Sequence, residues 1–176
     1  MKNPIRVTIA LDEESNDIFN RLRESSRLSQ SEIIRRALKF YYAHRDFENY
    51  DFEKIRIYVE MLGEGEHVIL DIDHLVVFLH MVETHPEKEK FMEIHREIAR
   101  SHADQFAGKS VDYILRRLEA CNFFRINKIG EKEYTLILVS KDTKEFVRVF
   151  LEEVLEGVGI KYEIKEDLTK LRLRLL

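Results

Sequence analysis

The segment from Arg6 to Ala43 constrains this chain more than any other, because it is built to leave apolar surface that it cannot cover by itself. In Arg6-Val7-Thr8-Ile9-Ala10-Leu11 the apolar Val7, Ile9 and Leu11 alternate with Arg6, Thr8 and Ala10, the period of a strand with one buried face. A strand needs a partner edge, and no second strand follows within hairpin distance. Asp12-Glu13-Glu14-Ser15 instead reads as the cap and acidic first turn of a helix, with Ile18, Phe19 and Leu22 as its apolar face. Ser25-Ser26-Arg27 ends it. Leu28-Ser29-Gln30-Ser31-Glu32-Ile33 starts a second helix, with Ser29 as N-cap, Glu32 closing a capping box and Leu28 stapled against Ile33. Its apolar stripe is Ile33, Ile34, Ala37, Leu38 and Tyr41, reaching to about Tyr42. So small a unit does not bury a sufficient core as a monomer. Pairing of strand 5–11 with that of a second copy gives a two-stranded antiparallel ribbon over four helices.

These residues resemble the ribbon-helix-helix DNA-binding domain, over roughly residues 4–43. The resemblance implies a homodimer through the ribbon, which enters the major groove of double-stranded DNA. It makes Arg6 and Thr8 base readers, with Ala10 offering contact to a thymine methyl. It also places a phosphate at the N-terminus of the second helix, on free amides around Ser29, Gln30 and Ser31, with Lys2 reaching the backbone. The plainer alternative makes Arg6 and Thr8 the solvated face of an edge strand. One departure stands out. The family often has Gly at the turn between the helices, where this chain has Arg27, and a left-handed residue there costs a non-Gly side chain about 1 kcal/mol; a slightly different turn is expected.

Net charge is −4, which alone argues against nucleic-acid binding. Its distribution argues otherwise: residues 1–45 hold nine Lys or Arg against six Asp or Glu, a balance of +3 that leaves −7 for the remainder. One cysteine, Cys121, excludes an intrachain disulfide and suits a reducing cytoplasm. No apolar run has the length of a membrane span.

The expected organisation is a head at 1–45, a linker or connecting helix at 46–66, and an α+β regulatory or oligomerisation domain at 67–176. Ile55 to Val59 fits strand and helix alike before Gly63-Glu64-Gly65. Further on, the pattern predicts a helix from Ile72 or Asp73 to Thr84, with Leu75, Phe78, Leu79 and Val82 inward. Pro86 is expected in the first turn of the next helix, running to about Phe106 through Phe91, Ile94, Ile98 and His102. A third helix spans Ser110 to Ala120. Strands are expected at Phe123–Ile129, Tyr134–Val139, Ile160–Lys165 and Leu171–Leu175, with a helix from Asp142 to Glu156 between the second and third. The fold class is therefore α+β, with an antiparallel β-β-α-β-β sheet domain after the helices.

Six of the seven histidines lie between His67 and His102, among many carboxylates. Imidazole is a common transition-metal ligand. His74, His80, His95 and His102 are the candidates, against the alternative of histidines dispersed over helix surfaces, since no HExxH, CxxC or zinc-finger spacing occurs. Nickel-responsive regulators join a ribbon-helix-helix head to a metal-binding domain with spaced histidines and one cysteine. Cys121 follows His102 by nineteen residues and has no histidine after it, so that pattern does not transfer. Cys121 is expected to pack at a junction of helix and sheet. A transition metal and a small-molecule effector stay open. No phosphate loop or nucleophile elbow points to an enzyme.

The expectation is a cytoplasmic, dimeric or tetrameric DNA-binding transcription regulator, a repressor, whose C-terminal domain senses an effector or sets oligomeric state. Two alternatives remain: an antitoxin-like protein that grips a partner protein and autoregulates, and a dimerisation protein that never touches DNA.

Overall fold

The structure, a computed structural model, describes residues 5–65 and 67–176. Among them are seven α-helices and one four-stranded antiparallel sheet, divided between two compact units, one ending at Phe52 and the other spanning Glu53–Leu176.

The first unit holds α1 (Glu13–Ser26) and α2 (Gln30–His44), followed by a short 3-10 turn at Arg45–Phe47. Asp12 caps α1 by accepting from the Ser15 amide at 2.8 Å, and Ser29 caps α2 by accepting from the Glu32 amide at 3.3 Å. The turn between them keeps the left-handed residue. Arg27 takes φ 55° and ψ 18°, so the expected change of turn does not occur and the Arg backbone bears the strain.

In the second unit, α3 (Phe52–Gly63) resolves the ambiguous stretch as helix. It is tied to α6 (Val111–Ala120) through Arg117, which lies 3.9 Å from Glu60 and 3.5 Å from Glu64, and through Cys121, whose Sγ is 3.7 Å from Met61 Sδ. Helix α4 (Ile72–Glu83) buries Leu79, but Phe78, expected inward, faces out. Pro86 lies just before α5 (Lys88–Gln105) rather than in its first turn, because Glu87 occupies the N-cap position.

Strands β1 (Phe124–Lys128), β2 (Glu133–Leu138), β3 (Tyr162–Asp167) and β4 (Lys170–Leu175) lie in the order β1-β2-β4-β3. Helix α7 (Lys144–Gly157) connects β2 to β3 after a 3-10 turn at Lys141–Thr143. Register pairs Phe124 with Leu138, Leu136 with Leu171 and Tyr134 with Leu173, placing buried side chains on one face. Against that face pack Ile114, Leu115 and Leu118 of α6 and Val147, Leu151, Val154 and Leu155 of α7. Burying each such side chain contributes about 1.5–3 kcal/mol before chain entropy is counted, so this core holds its own unit together.

Helix α7 has a second stripe, toward α5. Phe146 O accepts from His95 Nε2 at 2.9 Å, Glu153 pairs with Arg100 at 2.7 Å, and Gly157 faces Ala103. The pairings advance together, so the two helices run in the same direction. A Cβ on Gly157 would lie 2.5 Å from the Ala103 Cβ, a separation only hydrogen permits. The buried stripe of α5 is thus Met92, His95, Ala99 and Ala103. The expected stripe is turned by one residue: Ile94 and Ile98 are each 49% exposed.

Candidate nucleic-acid interface

The head exposes what its sequence makes apolar. Ile5, Val7, Ile9 and Leu11 are all exposed, from 92% at Ile5 to 42% at Leu11. Ile18 and Leu22 of α1 and Leu38 and Tyr41 of α2 are exposed as well, and α1 buries no residue. Within a single chain residues 5–11 form no strand. Their unpaired backbone edge and apolar side chains are the two things that a second copy of the segment would satisfy together. Arg6, Thr8 and Ala10, the predicted base readers, are exposed, and Arg6 makes no ion pair among the described residues.

The predicted phosphate site sits at the start of α2. Among the described residues the Gln30 and Ser31 amides have no acceptor, as befits the first turn of a helix, and they point their partial positive charge out of its N-terminus. Glu32, in that same turn, would oppose an anion. Its carboxylate does not reach back to complete the capping box. Instead Oε2 accepts from Arg35 at 2.7 Å and Oε1 from Arg36 at 3.1 Å. These two guanidiniums hold the Glu32 carboxyl below the usual carboxylate range and offset its charge beside the amides. Lys2 lies outside the described residues.

The four metal candidates do not converge. His74 lies on α4, 3.9 Å from Asp71, and His80 lies on the same helix, 3.7 Å from Asp142. His95 and His102 are on α5, and only His67 approaches them, 6.4 Å from His102 between ring centres. Among the described residues no group of three or more His, Cys, Asp or Glu is placed to hold a metal ion. Cys121 ends α6, and burial pushes its thiol up, away from the thiolate a metal needs.

The sequence reading missed what the outer stripe of α5 does. Phe91, Ile94 and Ile98 line a cavity instead of entering the core. The signal was available: apolar residues at 91, 92, 94, 98, 99 and 103, with His95 and His102 among them, make an arc wider than contact with one neighbouring helix requires.

Residues 5–45, about a quarter of the chain, match the family described as ribbon-helix-helix protein, copG family. Members of that family are generally DNA-binding transcription regulators or antitoxins, bind DNA as dimers and are typically not enzymes. The C-terminal region carries no family assignment. No curated protein and no solved structure matches the chain. Among the described residues no helix is long and apolar enough to cross a membrane.

Proposed function

We propose that this protein is a homodimeric, sequence-specific DNA-binding transcription regulator, a repressor, whose C-terminal unit senses an effector or sets oligomeric state. The observation that carries this reading is the pairing of opposites in residues 5–11. The apolar Val7, Ile9 and Leu11 lie open beside the polar Arg6 and Thr8. A ribbon formed by two copies covers the first set and turns the second set outward.

In this reading Arg6 donates to guanine O6 and N7, Thr8 gives or accepts one hydrogen bond, and Ala10 touches a thymine methyl. The Gln30 and Ser31 amides, with Ser29, hold a phosphate and fix the ribbon's depth in the groove, and Lys2 adds a backbone contact. The head is residues 1–45, the connection 46–66 and the regulatory part 67–176.

The test is selection of bound fragments from genomic DNA by purified full-length protein, followed by titration of the recovered duplex. Arg6→Ala should weaken the selected site by about 1–3 kcal/mol and bind scrambled duplex almost as before. Ser31→Pro removes one amide and should weaken both duplexes alike. A dimeric, folded protein that enriches no sequence, with or without added effectors, overturns the regulator reading.

A further inference from the structure

The C-terminal unit carries a partly open cavity of about 710 Å³, within the range that holds small organic molecules. Its walls are mostly aromatic and aliphatic, with Phe91, Ile94 and Ile98 of α5 opposed to residues of α3 and the segment after it, and Phe146 and Phe150 of α7 also lining it.

Three imidazoles break the apolar lining, and each has one nitrogen engaged by a backbone carbonyl. His95 Nε2 lies 2.9 Å from Phe146 O, His102 Nδ1 lies 2.8 Å from Ile98 O, and His67 Nδ1 lies 3.2 Å from Met61 O. A carbonyl only accepts, so each of these nitrogens carries the proton, and in the neutral ring the other nitrogen is left as an acceptor. None of those second nitrogens has a partner among the described residues. His95 matters most, because it is only 4% exposed. Its Nδ1 is not wholly sealed from solvent, so the lone pair stays open to a donor reaching it from the cavity. Burial also holds the His95 pKa below its ordinary value, which keeps the ring neutral and its Nδ1 lone pair free.

The remaining polar groups narrow the ligand. Arg117 lines the cavity, but its guanidinium faces Glu60 and Glu64, so it offers no free charge to an anion. The Cys121 thiol is held neutral by burial, and no metal-holding group of three exists among the described residues. What the walls ask for is an apolar body, and what the imidazole asks for is a donor.

We propose that this cavity binds an uncharged aromatic or polycyclic molecule bearing a hydroxyl or N–H donor, which donates to His95 Nδ1 while its rings lie against Ile94, Ile98, Phe146 and Phe150. This ligand is the effector of the regulatory reading above; its effect on DNA rests on that reading, whereas its binding does not.

The test uses full-length protein and N-phenyl-1-naphthylamine, an uncharged aromatic amine with one N–H whose fluorescence rises in apolar surroundings, beside its N-methyl derivative, which lacks the donor. Wild type should bind one amine per chain saturably and the N-methyl compound roughly three- to tenfold more weakly. His95→Leu should bring the two probes to equal affinity. Should that variant misfold, Ile98→Arg, at a half-exposed position, places a charge in the cavity and should abolish binding of both probes with circular dichroism unchanged. Equal affinity of the two probes for wild type overturns the proposal. So does displacement of the amine by stoichiometric nickel or zinc, which would assign the imidazoles to a metal, and so does a cavity closed to both probes because two copies cover it, seen as binding that appears only on dilution to monomer. Saturable binding with no change in operator affinity leaves the cavity assignment standing and strikes only its link to DNA.

Discussion

Helix α1 in the head buries none of its side chains and α2 buries only Ile33, whereas α6 in the C-terminal unit, a ten-residue helix, buries six. The helices are of similar make, amphipathic and capped by Asp or Ser. They differ in whether the chain itself supplies the surface that covers them. The C-terminal unit brings its own sheet, and Leu136, Leu171 and Leu173 meet α6 and α7 within one molecule. The head has two helices and the unpaired segment 5–11. The comparison teaches that an amphipathic pattern specifies a buried face without specifying whose atoms bury it.

The sharpest way to break this contrast is Ile9→Asp. In the paired ribbon it leaves an uncompensated charge in an apolar seam, a cost of about 3–5 kcal/mol. Sedimentation equilibrium should lose the dimer, and circular dichroism should lose head helicity while the C-terminal melting transition stays in place. An unchanged dimer would move the dimer contact to the C-terminal unit.

The converse variant is Gly157→Ala. The new methyl meets the Ala103 Cβ at 2.5 Å, so α5 and α7 must separate. Overpacking of this kind costs about 1–3 kcal/mol. Chemical denaturation should show that loss in the C-terminal transition alone, and adding Ala103→Gly should recover part of it.

Smaller again is a pH effect confined to the same unit. Burial depresses the folded pKa of His95 below its ordinary value of 6.5. The unfolded imidazole therefore takes up a proton as pH falls through that value while the folded one does not. Stability from this group is complete above that value and declines as pH falls toward the folded pKa, with a slope of at most about 1.4 kcal/mol per pH unit. His95→Gln should remove that part of the slope from thermal melts between pH 7 and 5.

The smallest expected change belongs to the head. Arg27→Gly releases left-handed strain of about 1–2 kcal/mol and gives back about 0.4–1 kcal/mol as greater freedom of the unfolded chain. A net gain of about 0.5 kcal/mol, read as a slightly higher head melting temperature at fixed concentration, is expected.

Local chemistry was the legible part. Asp12, Ser29 and Ser110 announce helix starts because each side chain satisfies an amide a few residues on, and all three do so in the structure. Alternation in β3 and β4 was equally plain, with Leu171 and Leu173 inward. What escaped depended on neighbours far along the chain. The Glu32 carboxylate had two possible partners, the Ser29 amide or the guanidiniums of Arg35 and Arg36, and charge-assisted bonds outcompete a neutral one. On α5 the apolar arc is wider than any single contact, so its orientation was fixed by the close approach of Ala103 and Gly157, residues far apart in sequence. Arg27 was expected to avoid the left-handed region because family members often have Gly there. Ser26, whose hydroxyl donates to Leu22 O and accepts from the Leu28 amide, and the Ser29 cap flank that turn and set the helix ends it joins, leaving the residue between them little choice. In the candidate site Arg6 and Thr8 are exposed, but so are Val7 and Ile9, because the face that alternation marks for burial has no cover within the single chain. The neutral imidazole facing the cavity could not be read, because it depends on the Phe146 carbonyl arriving from another helix.

The uncovered apolar side chains of residues 5–11 also carry a consequence for gene dosage. In the proposed dimer the reading surface exists only when two chains meet, which makes folding of the head, pairing and operator occupancy one linked equilibrium. Where most chains are unpaired, the concentration of competent readers rises as the square of total chain, and halving the supply cuts it about fourfold. Control would then respond to a threshold of accumulated protein rather than in proportion to it.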